Sequence, residues 1–171
     1  MVTKRTPGDQ DEPRRGEEGG PRDEVAQALR AFGMERDRFE DAVARNHGIT
    51  HTDLQALDNL SLHGALTPGQ LGQRMLLTSG AITALADRLE RLGWVTRESH
   101  PTDRRSTVLT LTDGAARAAE EIFGPYAEEM AEAASGLSKA EREGCRKFLV
   151  QATEISERHA RRQVSGDRER R

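Results

Sequence analysis

The chain is short of the residues that build disulfide frameworks, aromatic cores and membrane spans. Its single cysteine, Cys145, allows no bridge within the chain, so a reducing, cytoplasmic setting is expected. Aromatic residues make up only 4%, while Ala, Arg, Glu and Leu dominate, a balance that favours helix. No run of about 18 apolar residues is present, so nothing reads as a membrane span. There is no Gly-rich phosphate loop, no nucleophile elbow and no cluster with metal-ligand spacing. The expectation is therefore a protein without catalytic residues, cofactor or metal. His47 and His51 stand four apart, but Gly48 and Thr50 interrupt any helix that would point both at one ion.

A large excess of either charge is also lacking, since 26 basic residues face 29 acidic ones for a net −3. The distribution says more than the total. Between Arg74 and Arg105 six arginines face four carboxylates, a formal +2, so the remainder of the chain carries −5. A basic patch on an acidic body favours local docking to phosphate.

The patch coincides with the most patterned stretch, residues 78–112, which read TSGAITALADRLERLGWVTRESHPTDRRSTVLTLT. Ile82, Leu85, Leu89 and Leu92 form the apolar stripe of a helix and are expected in the core. Gly93 ends that helix. Two β-rich runs follow, Trp94–Arg97 and Thr107–Leu111, linked by a tip holding Pro101, Asp103, Arg104 and Arg105. A helix followed by a basic-tipped hairpin can hold duplex DNA at two places, in the major groove and at backbone or minor groove.

Residues 1–23 are polar and rich in Pro and Gly, and read as a disordered leader rather than a secretory signal. Residues 24–46 carry a broad apolar stripe with Gly33 inside it, and Gly48 ends the helix. Thr50 is a candidate N-cap for a second helix with Leu54, Leu57, Leu60 and Leu62. Thr67-Pro68-Gly69-Gln70 is a capping box with proline at the first helical position. It opens a short helix to about Met75, and Leu76-Leu77 make a turn before Thr78 caps the helix above. Two helices joined by a brief turn form a helix-turn-helix. Thr112 caps a long helix to about Ala134, with a kink expected at Gly124-Pro125. Ser138-Lys139-Ala140-Glu141 is a further capping box, opening a last helix with Cys145, Phe148, Leu149, Ala152 and Ile155 expected inward. Residues 161–171 read as a solvated arginine-rich tail.

These residues resemble the MarR family of winged helix-turn-helix regulators. The resemblance runs through THTDLQAL at 50–57, LTPGQL at 66–71, ITALADRLERLGWV at 82–95, PTDRR at 101–105 and LTDG at 111–114. It implies a mainly α fold with a small β-hairpin wing: a DNA-binding lobe at 50–112 and dimerisation helices at 24–47 and 113–160, together a domain of 24–160. It further implies an intertwined homodimer on a pseudo-palindromic operator, usually a repressor. In many members a small, often phenolic, effector releases the DNA.

The solvent face of the helix after Thr78 offers Ser79, Thr83 and Arg88 to bases or phosphate. Thr67 and Gln70 cap a helix start beside phosphate. Arg104 and Arg105 are the wing contacts, with Arg104 the one expected to face DNA. Asp103 and Asp87 are expected to brace the wing, pairing with the other arginine. An effector pocket would draw on Phe39, Val43, His47, His51, Phe123 and Tyr126, although ordinary core and interface explain these residues equally well. A redox-responsive or non-sensing regulator, or a winged-helix adaptor that binds protein, stays open as an alternative.

Overall fold

A computed structural model describes residues 21–168 apart from 104. Eight elements follow in order: α1 (Pro21–Asn46), α2 (His51–His63), α3 (Pro68–Met75), α4 (Ser79–Arg91), β1 (Val95–Ser99), β2 (Thr107–Leu111), α5 (Asp113–Ser135) and α6 (Lys139–Arg168). Most of the expected leader, residues 1–20, lies outside the described residues, but helix already begins at Pro21. Likewise α6 runs on to Arg168, so most of the segment read as a solvated tail is helical, with 169–171 outside the described residues.

The element boundaries rest on local chemistry. Thr50, Thr67, Thr78 and Thr112 each sit in extended backbone and accept a bond from the amide three residues on, satisfying a donor that the helix cannot. At Thr67 the box is complete, for Gln70 returns a bond to the Thr67 amide at 2.8 Å. Gly93, at φ 76°, reverses the chain between α4 and β1, a backbone conformation that costs glycine nothing. Leu76 adopts the same left-handed region at φ 55° without being glycine, so the helix-turn-helix turn is held by its surroundings. α5 passes through Pro125 without interruption.

The chain divides into two compact units, Met1–Phe39 and Glu40–Arg171. In the described part of the first, Val25, Leu29, Phe32 and Met34 are exposed along one helix. The second holds the core. Leu54, Ala56, Leu57 and Leu60 of α2, Leu71 of α3 and Ile82, Leu85, Ala86 and Leu89 of α4 are buried with Val95, Val108 and Leu109 of the hairpin. Fully burying a leucine contributes about 1.5–3 kcal/mol, so Leu71, Leu89 and Leu109 alone weld three elements together. The hairpin is antiparallel, pairing Val95 with Leu111 through Ser99 with Thr107. Leu66 adds a bridge to Leu109, giving the wing a third, one-residue strand that the sequence pattern had not disclosed.

Several inward assignments change. Leu92 is exposed because α4 ends at Arg91 and the chain turns away at Gly93. Leu62, on the outer side of α2, is exposed as well. Phe148, Leu149 and Ile155 of α6 are exposed, and so is Cys145, because α6 lays no apolar face on the core of its own chain.

Candidate nucleic-acid interface

The exposed half of α4 is presented by a helix held from two sides. Its N-terminal turn and one face leave Ser79, Gly80, Thr83, Ala84 and Asp87 in solvent, while Ile82, Leu85, Ala86 and Leu89 are buried beneath them. The Thr83 hydroxyl donates to the Ser79 carbonyl at 2.8 Å, leaving its oxygen lone pairs outward.

Arg88 does not point with them. Its Nε donates to Asp53 Oδ2 at 3.0 Å and its Nη2 to Asp53 Oδ1 at 2.5 Å, a fork that ties α4 to the start of α2. The DNA contact expected of Arg88 is accordingly revised to a bracing role, since both arms that meet the carboxylate are committed there. Asp53 has no exposed surface. Besides Arg88 it accepts from the Thr50 amide at 3.0 Å and the Thr50 hydroxyl at 2.8 Å, closing the capping box of α2. Burial alone would push its carboxyl up. The bonds from Arg88, then those from Thr50, and the Arg88 charge outweigh burial and hold it below the usual carboxylate range. Arg88 is correspondingly held above its ordinary value, first by its bond to Asp53.

The wing is braced by a residue that sequence reasoning missed. Arg97 of β1 donates to Asp87 at 2.5 Å and Glu90 at 2.7 Å, both on α4. These bonds, that to Asp87 foremost, hold the guanidinium above its ordinary value. Among the described residues the partner of Asp87 is Arg97, which ties β1 of the wing to α4. An arginine on the outer face of a strand is a weak signal, and nothing local marks its two carboxylates as partners. Among the described residues Asp103 braces the tip itself, accepting from the Ser106 hydroxyl at 2.6 Å and the Arg105 amide at 3.0 Å, which lower its carboxyl in that order. The Nδ1 of His100 accepts from the amides of Thr102 and Asp103 within the same turn. Arg105 is exposed, and its side chain meets no partner among the described residues. Arg104 lies outside the described residues.

Thr67 and Gln70 are spent on each other's backbone amides, so capping is their structural work. Of the expected effector residues, Val43, His47 and Phe123 line one closed cavity, together with Leu57, Trp94 and Asp58. His47 meets Trp94 edge to face, with ring centres 5.7 Å apart. The free volume is about 30 Å³, room for one water and too little for an aromatic ring. His51 turns elsewhere, its Nδ1 3.0 Å from Asp41 and its Nε2 3.7 Å from Glu40. Tyr126 is not in the wall, and Phe39 belongs to the first compact unit. No described helix is long and apolar enough to cross a membrane.

Residues 47–106 match a family model described as MarR family. YcgE, an uncharacterised HTH-type transcriptional regulator of Bacillus subtilis, is 33% identical over 138 residues, covering 81% of this chain and 90% of its own. Among solved structures, a MarR family protein from Bacillus stearothermophilus superposes with TM-score 0.61 at 25% identity, over 78% of this chain and 94% of that one. A Staphylococcus aureus MepR mutant bound to an oligodeoxyribonucleotide shares the fold at TM-score 0.53 and 21% identity, over 77% of this chain and 96% of its own.

Proposed function

Because this chain belongs to the MarR family of transcriptional regulators, we propose that it binds a pseudo-palindromic operator as a homodimer and represses from it until a small aromatic effector releases the DNA. It is a regulator and not an enzyme. One observation carries the reading: α4 is fixed through Asp53–Arg88 and Asp87/Glu90–Arg97, while Ser79, Thr83 and Ala84 stay free to face bases beside an exposed Arg105. A helix braced on its buried side and bare on its outer side is preorganised for the major groove. With Arg88 engaged and Ala84 small, base readout is sparse, and groove shape and thymine methyl contacts supply more of the specificity. The exposed apolar faces of α1 and α6 supply the surface for a second copy.

The composition of the cavity wall supports the effector reading. Trp94 opens the wing, Leu111 closes it, and Ala115, Ala119, Ile122 and Phe123 belong to α5. A ring entering this space must part the winged lobe from α5, which changes the separation of the two recognition helices in a dimer. Operator binding is expected to weaken when simple phenols are titrated in, and to ignore peroxide. The reverse pattern would favour redox sensing through Cys145, and indifference to both would favour a non-sensing regulator.

The wing gives the direct test. The R104A/R105A variant should fold as the unaltered chain does and lose roughly hundredfold or more in operator affinity, since each arginine contact is worth about 1–3 kcal/mol and a dimer carries two wings. Anisotropy of a labelled duplex selected from a random-sequence pool reads it. Affinity unchanged by the double substitution, or no duplex selected by the unaltered chain, would turn the reading toward a protein-binding adaptor.

A further inference from the structure

We propose that the last described turns of α6 form a third DNA-contacting element, laying Arg158, Arg161 and Arg162 along the phosphate backbone beside the recognition helix. The inference deepens the operator-binding reading and rests on it. Its starting point is where the helix places the first residues of the arginine-rich segment 161–171. Arg161 and Val164 form one wall of an open groove of about 590 Å³ whose other wall is Gln73 of α3 with Ser79 and Thr83 of α4. The same face of α6, one turn earlier, borders a second groove of about 220 Å³, where Glu157, Ala160 and Arg161 meet Arg74 and Leu76. The segment therefore runs alongside the helix-turn-helix at the mouth of its DNA-reading face.

Two readings of such a helix compete: a strap that masks the face, or a clamp that extends it. Exposure decides between them. Ser79, Gly80, Thr83 and Ala84 all remain in solvent with α6 in place, so the segment stands at the edge of the face and not upon it. Charge points the same way. Arg158, Arg161 and Arg162 are exposed, and Arg158 and Arg162 form no ion pair among the described residues. Helix-dipole compensation does not account for them, because that effect is confined to the final turn and α6 continues to Arg168. Exposed guanidinium groups beside the N-terminus of a groove-entering helix lie where the flanking phosphates of a duplex pass. Phosphate contacts carry no base information, so they raise affinity for any sequence and steepen its salt dependence.

The test compares the full chain with R158A/R162A, whose exposed and unpaired positions leave folding intact, and with R158K/R162K. Binding to a pool-selected operator duplex and to a scrambled duplex is measured across a series of salt concentrations. R158A/R162A should bind both duplexes about tenfold or more weakly, with the slope of log K against log salt reduced by about 0.9 for each phosphate that is no longer neutralised. R158K/R162K should stay close to the unaltered chain, because a point charge suffices for phosphate. Equal affinity and equal slope in R158A/R162A would overturn the clamp, and tighter binding would replace it with the mask. Failure of the unaltered chain to bind either duplex would instead remove the operator-binding reading itself.

Discussion

Replacing Arg88 by alanine is expected to destabilise the winged lobe by about 3 kcal/mol, because it strands the fully buried Asp53 carboxylate without its cation. That is a large share of the roughly 5–15 kcal/mol by which a domain of this size is stable. The figure stands at the low end of the range for broken buried pairs because Arg88 is itself 37% exposed, and water can partly replace it. The converse change, Asp53→Ala, is milder. It leaves an arginine able to turn to solvent and costs chiefly the α2 capping box, about 1 kcal/mol. Removing both partners should cost less than removing Arg88 alone, since no buried charge remains. Urea midpoints at unchanged m-value would measure all three, and an Arg88→Ala midpoint no lower than that of Asp53→Ala would refute the assignment.

The same pair sets a pH dependence whose sign is fixed by the direction of the shift. Asp53 is held below its ordinary value of 3.8, so the folded chain releases this proton more readily than the unfolded one. The pair's contribution is fully present above that ordinary value and is lost as pH falls through the lower folded-state value. The gap in stability between the unaltered chain and Arg88→Ala should therefore be widest near neutral pH and narrow as acid is added, first because burial without Arg88 raises the Asp53 carboxyl in the variant and finally because the unaltered chain loses the pair in strong acid. Arg88→Lys should fall between the two, because a lysine keeps the charge but not the two-armed fork. Operator affinity should drop with stability in Arg88→Ala even at temperatures where the lobe is folded, since the fork sets the angle at which α4 leaves the core.

Placing aspartates at Leu149 and Ile155 is expected to abolish dimerisation and with it operator recognition. In the single chain these side chains are 46% and 48% exposed and continue a stripe with Phe148. Soluble proteins rarely leave such a stripe uncovered, and a two-fold partner covers it with its own copy. Charges at the centre of that face remove its apolar packing and meet their own counterparts across the axis. The variant should elute as a monomer while keeping its helical content. With one half-site in reach, affinity should fall toward non-specific levels, on the order of a thousandfold or more below specific binding. Light scattering and the anisotropy assay read the two consequences separately. A variant that stays dimeric would place the interface elsewhere, and a monomer with undiminished affinity would defeat the two-headed mode of binding.

Much of this architecture was written in short stretches of sequence. The caps at Thr50, Thr67, Thr78 and Thr112, the glycine at 93 and the strand Thr107–Leu111 all stand where residue pattern placed them. Each depends on a side chain reaching backbone three or four residues away, or on the alternation of one strand, and such interactions are complete within their own segment. The helix offering Ser79 and Thr83 was legible for the same reason, since the buried stripe of Ile82, Leu85 and Leu89 dictates what faces out.

Tertiary structure alone decided what those exposed positions lean on. Arg88 reads as one more cation of a basic face until α2 brings Asp53 to it from 35 residues away, and Arg97 reads as an outward strand residue until α4 supplies two carboxylates. Cys145 and its apolar neighbours on α6 have the periodicity of a core helix, and only the path of the chain leaves them outside its own core. A charge or a methyl group carries no record of which distant surface it will meet. Periodicity specifies that a face must be covered, while packing in three dimensions specifies by what.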